Sequence, residues 1–178
     1  MGTIRIKDKV FSVSITSSEI LEQTKRVANE INQDFEKSNP TFLAILNGSF
    51  IFAADLIREI ILPCEIHFVK LASYTGMKST GCVHELIGLN ADLRGQDVII
   101  IEDIVDSGLT MEHVIKSLQK LFPLSISICT LLLKPNNLKA NIEIKYKCFD
   151  IPNDFIVGYG LDYDGYGRNL KDIYTVID

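Results

Sequence analysis

The sequence predicts an α/β fold built on a central, mainly parallel sheet flanked by helices, and three observations support this class. Runs of consecutive apolar residues, typical of buried strands, recur at 41–46, 98–101 and 125–133. Segments with apolar residues at helical spacing lie between these runs, as expected for a parallel sheet. A length of 178 residues suits one domain, and 47% hydrophobic with 23% charged residues excludes a disordered or collagen-like chain.

The first half of the chain is predicted to alternate helices and strands. A capping box formed by Thr16 and Glu19 opens a helix that should end near Pro40. Ser49 is a candidate N-cap for the next, strongly apolar helix, which Pro63 should end. The elements predicted here are a helix from 17 to about 38, a strand over 41–46, a helix over 50–62 and a strand over 64–71.

The second half continues the alternation after a polar, glycine-bounded stretch at 73–81. This stretch has no consistent period and is predicted as a loop of the kind that is more often functional than inert. The elements predicted beyond it are a strand over 97–102, a helix over 110–122, and strands over 125–133 and 154–159. Ligands of such sheets bind beyond the carboxyl ends of the strands. The loops in which we therefore expect chemistry follow Leu46, Leu71, Ile101, Leu133 and Val157.

Charge and composition exclude several classes of function. The net charge of −5 gives no electrostatic reason to expect nucleic-acid binding. No apolar stretch reaches the length of about 18 residues that predicts a membrane span. The amino-terminal residues lack the apolar core of a secretory signal, and the four widely spaced cysteines predict reduced thiols, so we expect a cytoplasmic protein. The three histidines lack partners at zinc-ligand spacing.

The most informative stretch begins with the buried strand at 98–101. The strand leads into Glu102 and Asp103, and after two apolar residues the sequence Asp106-Ser107-Gly108-Leu109-Thr110 enters a helix. Backbone amides at a helix start, with hydroxyls and a glycine that permits close approach, predict a site for a phosphate dianion. The alternative is that this Asp-Ser-Gly sequence only caps the helix.

The two carboxylates before this turn need a partner, because they would repel a phosphate. Neighbouring carboxylates accept hydrogen bonds from the cis-diol of a sugar, as the acidic residue of dinucleotide-binding folds does. The spacing therefore suggests a ribose 5-phosphate, with its diol on Glu102 and Asp103 and its phosphate on residues 106–110.

This stretch resembles the phosphoribosyl pyrophosphate binding motif of the type I phosphoribosyltransferases. Other segments resemble the hypoxanthine(-guanine) phosphoribosyltransferases in the order and at roughly the spacing of that family: Leu46–Phe50, Ser73-Tyr74 with Ser79–Gly81, Lys134-Pro135, and Asp154–Tyr163 with Arg168. The resemblance covers about Phe42 to Val176. It implies the type I phosphoribosyltransferase fold in a single domain over residues 1–178, with a core over about 40–150 and a small hood formed by the terminal segments.

The resemblance also implies a role for each matching residue. Asp106 would be the catalytic acid and base near the purine N7, and Glu102 and Asp103 would hold the ribose diol. The 5-phosphate would bind Asp106, Ser107, Gly108, Leu109 and Thr110. The purine would contact Ile104, Lys134, Phe155 and Ile156, with Lys134 donating to O6 and Phe155 stacking on the ring. The pyrophosphate would contact Asn47, Gly48, Ser73, Tyr74 and Arg168, under a lid formed by the loop from Ser73 to Gly81.

Three of these assignments also have simpler interpretations. Asn47-Gly48, which in the family often holds a non-proline cis peptide bond, could be a plain turn after a strand. Lys134 could be a surface lysine that follows a buried strand, and Phe155 could be a core residue.

The resemblance implies a magnesium-dependent enzyme of purine salvage. It would transfer 5-phosphoribosyl from phosphoribosyl pyrophosphate to N9 of hypoxanthine, and also of guanine, with Mg²⁺ held near Asp162, Glu102 and Asp103. The expected partners are small-molecule substrates and further copies of the chain in a homodimer or homotetramer, without nucleic acid or membrane. Two alternatives stay open: a regulatory protein of the same fold that senses the sugar pyrophosphate, and a transferase that prefers xanthine.

Overall fold

The computed structural model describes residues 2–75 and 82–177, without the side chains of 72–75 and 82–87. The strands in these ranges are β1 Thr3–Ile6, β2 Lys9–Ile15, β3 Thr41–Leu46, β4 Glu65–Thr75, β5 Cys82–Ile87, β6 Asp97–Val105, β7 Ser125–Leu133, β8 Tyr146–Asp150, β9 Ile156–Val157 and β10 Ile173–Val176. The helices are α1 Ser17–Asp34, α2 Phe50–Glu59 and α3 Leu109–Gln119, with a 3₁₀ turn at Pro135–Asn137.

The larger sheet has the strand order β5-β4-β3-β6-β7-β8. All neighbouring pairs from β4 to β8 are parallel, and β5 joins the edge antiparallel to β4. The predicted α/β class with a mainly parallel sheet is therefore confirmed. Helix α2 connects β3 to β4 and helix α3 connects β6 to β7, because a parallel connection must return across the face of the sheet.

Helices cover both faces of this sheet, and the alternation of side chains along β6 explains why its sequence is continuously apolar. Ile99 and Ile101 pack into one core cluster with α1 and α2. Val98 and Ile100 pack into a second cluster with α3 on the opposite face. A strand buried on both faces needs apolar residues at every position, as the sequence shows.

The smaller sheet is antiparallel, with the order β1-β2-β10-β9, and it joins the two terminal segments of the chain. The predicted strand over 154–159 is shorter than expected and lies in this sheet, so its assignment to the parallel sheet was wrong. The edge position beside β7 is occupied instead by β8, which the sequence did not reveal. The loop after Val157 therefore does not follow a strand of the larger sheet.

The helix ends are set by side-chain contacts from distant elements. The capping box at Thr16 is present, and α1 starts where it was predicted. The predicted helix over 50–62 stops at Glu59, because the Asn32 side chain donates to the Glu59 carbonyl (3.0 Å) and accepts from the Ile61 amide (3.1 Å). Ser49 occupies the N-cap position of α2, but its hydroxyl donates to the Ile45 carbonyl (2.5 Å) instead of capping.

Two strands extend further than the sequence predicted. The parallel ladder between β6 and β7 continues to the pair Val105–Leu133, so Glu102 and Asp103 lie within the strand. The ladder between β4 and β5 continues to Thr75, so residues 73–75 are strand and not loop. The rest of the predicted lid, residues 76–81, lies outside the described residues. No helix in the described ranges is both long and apolar enough to cross a membrane.

Candidate active site

Three neighbouring parallel strands deliver the predicted site residues to one edge of the sheet. The turn at 106–108 follows β6, Asn47 follows β3 on one side, and Lys134 follows β7 on the other. The carboxyl ends of adjacent parallel strands meet at the same edge, so the residues are brought together by the sheet itself. The predicted meeting of these three loops at one edge of the sheet is confirmed.

Glu102 and Asp103 are adjacent acidic side chains near the end of β6. Asp103 is buried and its carboxylate accepts from the amide of Ile104 (3.0 Å). Burial, and then the adjacent charge of Asp103, raise the pKa of Glu102 well above its ordinary value. Among the residues that the structure describes, neither carboxylate forms an ion pair. The pair is therefore suited to hydroxyl donors or a cation.

Gly48 packs directly against this acid pair. A Cβ built on Gly48 would lie 1.4 Å from Oδ2 of Asp103, so only glycine leaves room for the carboxylate. The cis peptide bond at this loop joins Leu46 to Asn47, one bond earlier than Asn47-Gly48. The contact with Asp103 makes the loop after β3 part of the same site as the acid pair. A plain turn would not need to pack against these carboxylates.

The turn after β6 ends in Gly108, which has a φ of 76° and is the N-cap residue of α3. The Ser107 hydroxyl lies 3.5 Å from the first amide of this helix, whereas the Asp106 carboxylate is bonded to Lys134 and Asn137, so the interpretation of Asp106 as a mere helix cap is not supported. The first amides of a helix have no intrahelical partners and can bind an anion. A cavity of about 160 Å³ lies over this turn, and residues of both the turn and the acid pair line it, including Glu102, Asp106, Ser107 and Thr110.

A buried lysine lies beside Asp106. Lys134 exposes 8% of its surface, which excludes the alternative of a solvent-facing lysine. Its Nζ lies 3.4 Å from Oδ2 of Asp106, and the side-chain amide of Asn137 donates to the other carboxylate oxygen. The sequence singled out the first two residues, but it gave no signal for Asn137.

The segment after β9 contacts the loop after β3. Gly160 has a φ of 102°, and a Cβ there would lie 2.1 Å from the Gly48 carbonyl oxygen. Arg168 donates to the Gly160 carbonyl (2.6 Å) and pairs with Asp162 (2.5 Å). The proposed pyrophosphate residues Gly48 and Arg168 are therefore brought together through Gly160, a contact that sequence reasoning missed.

The predicted purine residues differ in their surroundings. Phe155 is 44% exposed, so it is not a core residue, and its ring packs edge-on against Tyr163 at 5.6 Å. Ile156 is buried in the core, and Ile104 is partly buried. A larger cavity of about 470 Å³ lies between the two sheets, and Ile156 is its one lining residue among the predicted site residues. Ser73 and Tyr74 lie in β4, but their side chains are outside the described part of the structure.

The residues near the acid pair fit a magnesium ion that also binds substrate. Within residues 2–75 and 82–177 no three His, Cys, Asp or Glu side chains form a ready-made metal cluster. Asp162 pairs with Arg168 and accepts a hydrogen bond from the amide of Gly165. Mg²⁺ prefers one or two carboxylates together with substrate oxygens and water, so the Glu102–Asp103 pair has suitable donors without a closed protein cage.

Comparisons with known proteins agree with this geometry. Residues 15–164 match the family described as "Phosphoribosyl transferase domain". A hypoxanthine-guanine phosphoribosyltransferase from Mycobacterium tuberculosis is 40% identical over 172 residues, covering 93% of this chain and 85% of the relative. A hypoxanthine phosphoribosyltransferase from Escherichia coli is 39% identical over 168 residues, covering 93% and 94%.

Solved structures give the same result. A crystal structure of a hypoxanthine-guanine phosphoribosyltransferase from Bacillus anthracis superimposes with a TM-score of 0.87 at 37% identity, over 93% of this chain and 98% of that one. Fold and site define a type I phosphoribosyltransferase. The chain belongs to the phosphoribosyltransferase family, among its hypoxanthine(-guanine) members.

Proposed function

We propose that this protein is a purine salvage enzyme that transfers 5-phosphoribosyl from phosphoribosyl pyrophosphate to N9 of hypoxanthine and guanine, giving IMP or GMP and pyrophosphate. The observation that carries the proposal is the shared cavity, which is lined by Glu102 of the acid pair together with the turn after β6. The cavity has a volume that suits a pentose phosphate, with a carboxylate at one end for the sugar hydroxyls and a helix start at the other for the phosphate. Relatives that the chain resembles over most of its length carry the names of this activity.

The proposed chemistry assigns each end of the substrate to residues of this chain. The helix start at Ser107–Thr110 binds the 5-phosphate, and Glu102 and Asp103 accept hydrogen bonds from the ribose diol. N9 attacks the anomeric carbon while the bond to pyrophosphate breaks and its electron pair leaves with the pyrophosphate. Asp106 accepts the proton that the base loses at N7, and its charge favours the oxocarbenium character of the transition state.

The purine and the pyrophosphate are held on opposite sides of the anomeric carbon of the ribose. Lys134 donates to the exocyclic O6, which selects 6-oxo purines over adenine because adenine presents a donor there. Phe155 stacks on the ring, while the backbone of Ile156 and the side chain of Ile104 border it. The Asn47-Gly48 loop and Arg168 bind the pyrophosphate, with Ser73 and Tyr74 from β4.

Mg²⁺, held by Glu102 and Asp103 with Asp162 nearby, would neutralise the leaving pyrophosphate when bound. Cytoplasmic localisation, assembly into a homodimer or homotetramer, and a single domain with a terminal hood stay predictions.

A spectrophotometric assay with phosphoribosyl pyrophosphate and Mg²⁺ tests the proposal against hypoxanthine, guanine, xanthine and adenine in parallel. We expect turnover with the first two and none with adenine. Turnover with xanthine alone would favour the xanthine-preferring alternative. Binding of phosphoribosyl pyrophosphate without turnover of any base would favour the regulatory alternative.

The variant Asp106→Asn tests the acid/base assignment. We expect turnover to fall by roughly a hundredfold or more, while the affinity for phosphoribosyl pyrophosphate changes little, because the amide keeps the shape but cannot accept the proton. Steady-state kinetics together with calorimetric binding separates the two quantities. An equal loss in both would contradict the assignment.

A further inference from the structure

The segment that connects β7 to β8 runs along the turn after β6 and is hydrogen-bonded to it at several points. The amide of Lys134 donates to the Val105 carbonyl (2.9 Å), and the amides of Lys139 and Ala140 donate to the Ser107 carbonyl (2.9 and 3.2 Å). We call this segment, residues 134–142, the buttress. Its backbone contacts hold it in a fixed position relative to the turn that carries Asp106.

The side chains of the buttress also close over the turn. A Cβ on Gly108 would lie 2.7 Å from Leu138, 3.1 Å from Ala140 and 3.0 Å from Ile142. Position 108 therefore needs glycine for two reasons. The turn has a positive φ there, and the buttress leaves no room for a Cβ. The close packing means that a side chain fixed on the buttress is also fixed relative to the turn.

Two buttress side chains, Asn137 and Lys134, reach Asp106. The Nδ2 of Asn137 donates to Oδ1 of Asp106, while the Nζ of Lys134 approaches Oδ2 at 3.4 Å. A carboxylate only accepts hydrogen bonds, so the amide must present its nitrogen. Both oxygens of Asp106 are thus in contact with donors from the buttress, and two contacts define the plane of the carboxylate.

The local backbone explains why the side chain of Asn137 contacts Asp106 and that of Asn136 does not. Pro135 opens the 3₁₀ turn, and the amide of Asn137 closes it on the Lys134 carbonyl at 3.1 Å. Successive side chains of a 3₁₀ turn point about 120° apart. Asn137 is partly buried against Asp106, whereas Asn136 is exposed.

We propose that Asn137 is a positioning residue that holds the carboxylate of Asp106 in the orientation needed to accept the purine proton. The inference rests on the proposed function. In that chemistry Lys134 turns its Nζ to the O6 of the bound base, which leaves Asn137 as the donor that keeps Asp106 in place. Asn137 exchanges no proton itself: the proton passes from N7 of the base to Asp106.

The variants Asn137→Ala and Asn136→Ala form a matched pair, since they remove the same amide from adjacent positions of one turn. We expect Asn137→Ala to lower kcat roughly tenfold or more, because small misplacements of a reacting group are costly. The KM for phosphoribosyl pyrophosphate should stay within about twofold, because Asn137 does not touch the phosphate-binding amides. Asn136→Ala should match the wild type in both.

The variant Asn137→Asp keeps the shape of the side chain but places a carboxylate against Asp106. It should lose more kcat than Asn137→Ala, whereas Asn136→Asp, with the same change of charge, should stay near the wild type. Asn137→Gln, which retains the donor, should recover part of kcat. Thermal unfolding of each variant shows whether the fold is kept, and Asn137→Asp keeps the test valid if the alanine variant unfolds.

The outcomes separate this inference from the proposed function. No turnover by the wild type with any 6-oxo purine would overturn the proposed function. Normal turnover by the wild type together with equal kcat in the two alanine variants would overturn the positioning role. A rise in KM for phosphoribosyl pyrophosphate that accounts for the whole loss in Asn137→Ala would also overturn it.

Discussion

At the residue scale, two glycines show how contacts between backbones and side chains build the site. Gly48 borders the end of a side chain, the carboxylate of Asp103, whereas Gly160 borders a backbone atom, the carbonyl of Gly48. A side chain can rotate away from an added methyl group, but a backbone carbonyl in a packed loop cannot do so without moving the loop. The two positions should therefore respond differently to the same substitution.

We expect Gly48→Ala to weaken binding of phosphoribosyl pyrophosphate with little change in stability, because Asp103 rotates away from the site. Gly160→Ala should lower the free energy of unfolding by about 1–3 kcal/mol, because it adds a clash to a backbone with a φ of 102°. Calorimetric binding and thermal unfolding measure the two effects. Gly2→Ala, with nothing within 4 Å, is the control. A larger loss of stability in Gly48→Ala than in Gly160→Ala would contradict this account.

At the element scale, a hydrogen bond fixes α2 against the segment that follows β9. The Tyr159 hydroxyl, in a residue only 4% exposed, donates to Asp55 on α2 at 2.6 Å. Burial, and then the carboxylate of Asp55, raise the pKa of Tyr159 well above its ordinary range, so this hydroxyl stays a donor at all physiological pH values. The bond ties α2 to the segment that reaches Gly48.

Tyr159→Phe should lower the free energy of unfolding by about 1–2 kcal/mol, since it removes a hydrogen bond to a charged group that is still partly solvated. Tyr166→Phe, at a residue that is 62% exposed, should change it by less than about 0.5 kcal/mol. Denaturant unfolding measures both variants. Equal effects would show that the Tyr159–Asp55 bond adds nothing to the docking of α2.

A second link between elements makes stability depend on pH. Asp34, at the end of α1, pairs with Lys145 at 2.8 Å and accepts from the Tyr146 hydroxyl at 2.7 Å. The hydrogen bond from Lys145, and then that from Tyr146, lower the pKa of Asp34 below its ordinary value of 3.8. Burial raises the pKa of Tyr146 to about 12, so this hydroxyl stays protonated near neutral pH.

A carboxylate with a lowered pKa stabilises the fold above its ordinary pKa, and this stabilisation is lost as the pH falls through the lowered value. The wild type should therefore have a higher Tm than Asp34→Asn near neutral pH, and the difference should narrow as the pH falls below 3.8. Thermal unfolding over a pH series measures this. Glu36→Gln removes the same charge from an exposed neighbour and should show no such trend. A Tm difference between the wild type and Asp34→Asn that stays unchanged in acid would disprove the link between the ionisation of Asp34 and stability.

At the scale of the whole molecule, one core cluster joins the two sheets. It contains residues of the larger sheet and its helices, such as Phe42 and Ile20, together with Ile156 and Ile173 from the smaller sheet. Because the smaller sheet contributes to this shared core, we expect it not to unfold separately.

Ile173→Ala should lower the free energy of unfolding by about 2–5 kcal/mol, because the side chain is 1% exposed and its removal leaves a cavity. Far-ultraviolet and near-ultraviolet circular dichroism should still report coincident transitions for the wild type and the variant. Two separate transitions would show that the terminal strands form an independent unit.

The local parts of the site could be predicted from the sequence, because their signals are local. The capping box at Thr16, the buried strands β3 and β7, and the run from Glu102 to Thr110 depend on neighbouring residues, and the structure has each of these at the predicted place. The resemblance added the residues near Lys134 and Arg168, whose roles stay predictions.

The tertiary structure decided everything that depends on residues distant in the chain. Asn32 ends α2, β8 and not the predicted strand over 154–159 pairs with β7 in the larger sheet, and Gly160 brings Arg168 to Gly48. The contact of Asn137 with Asp106 joins residues 31 positions apart. Sequence patterns record the periodicity of one element, whereas such contacts arise only when separate elements pack. The sequence therefore determined the fold class and the turn after β6, and the packing determined how the turn is held.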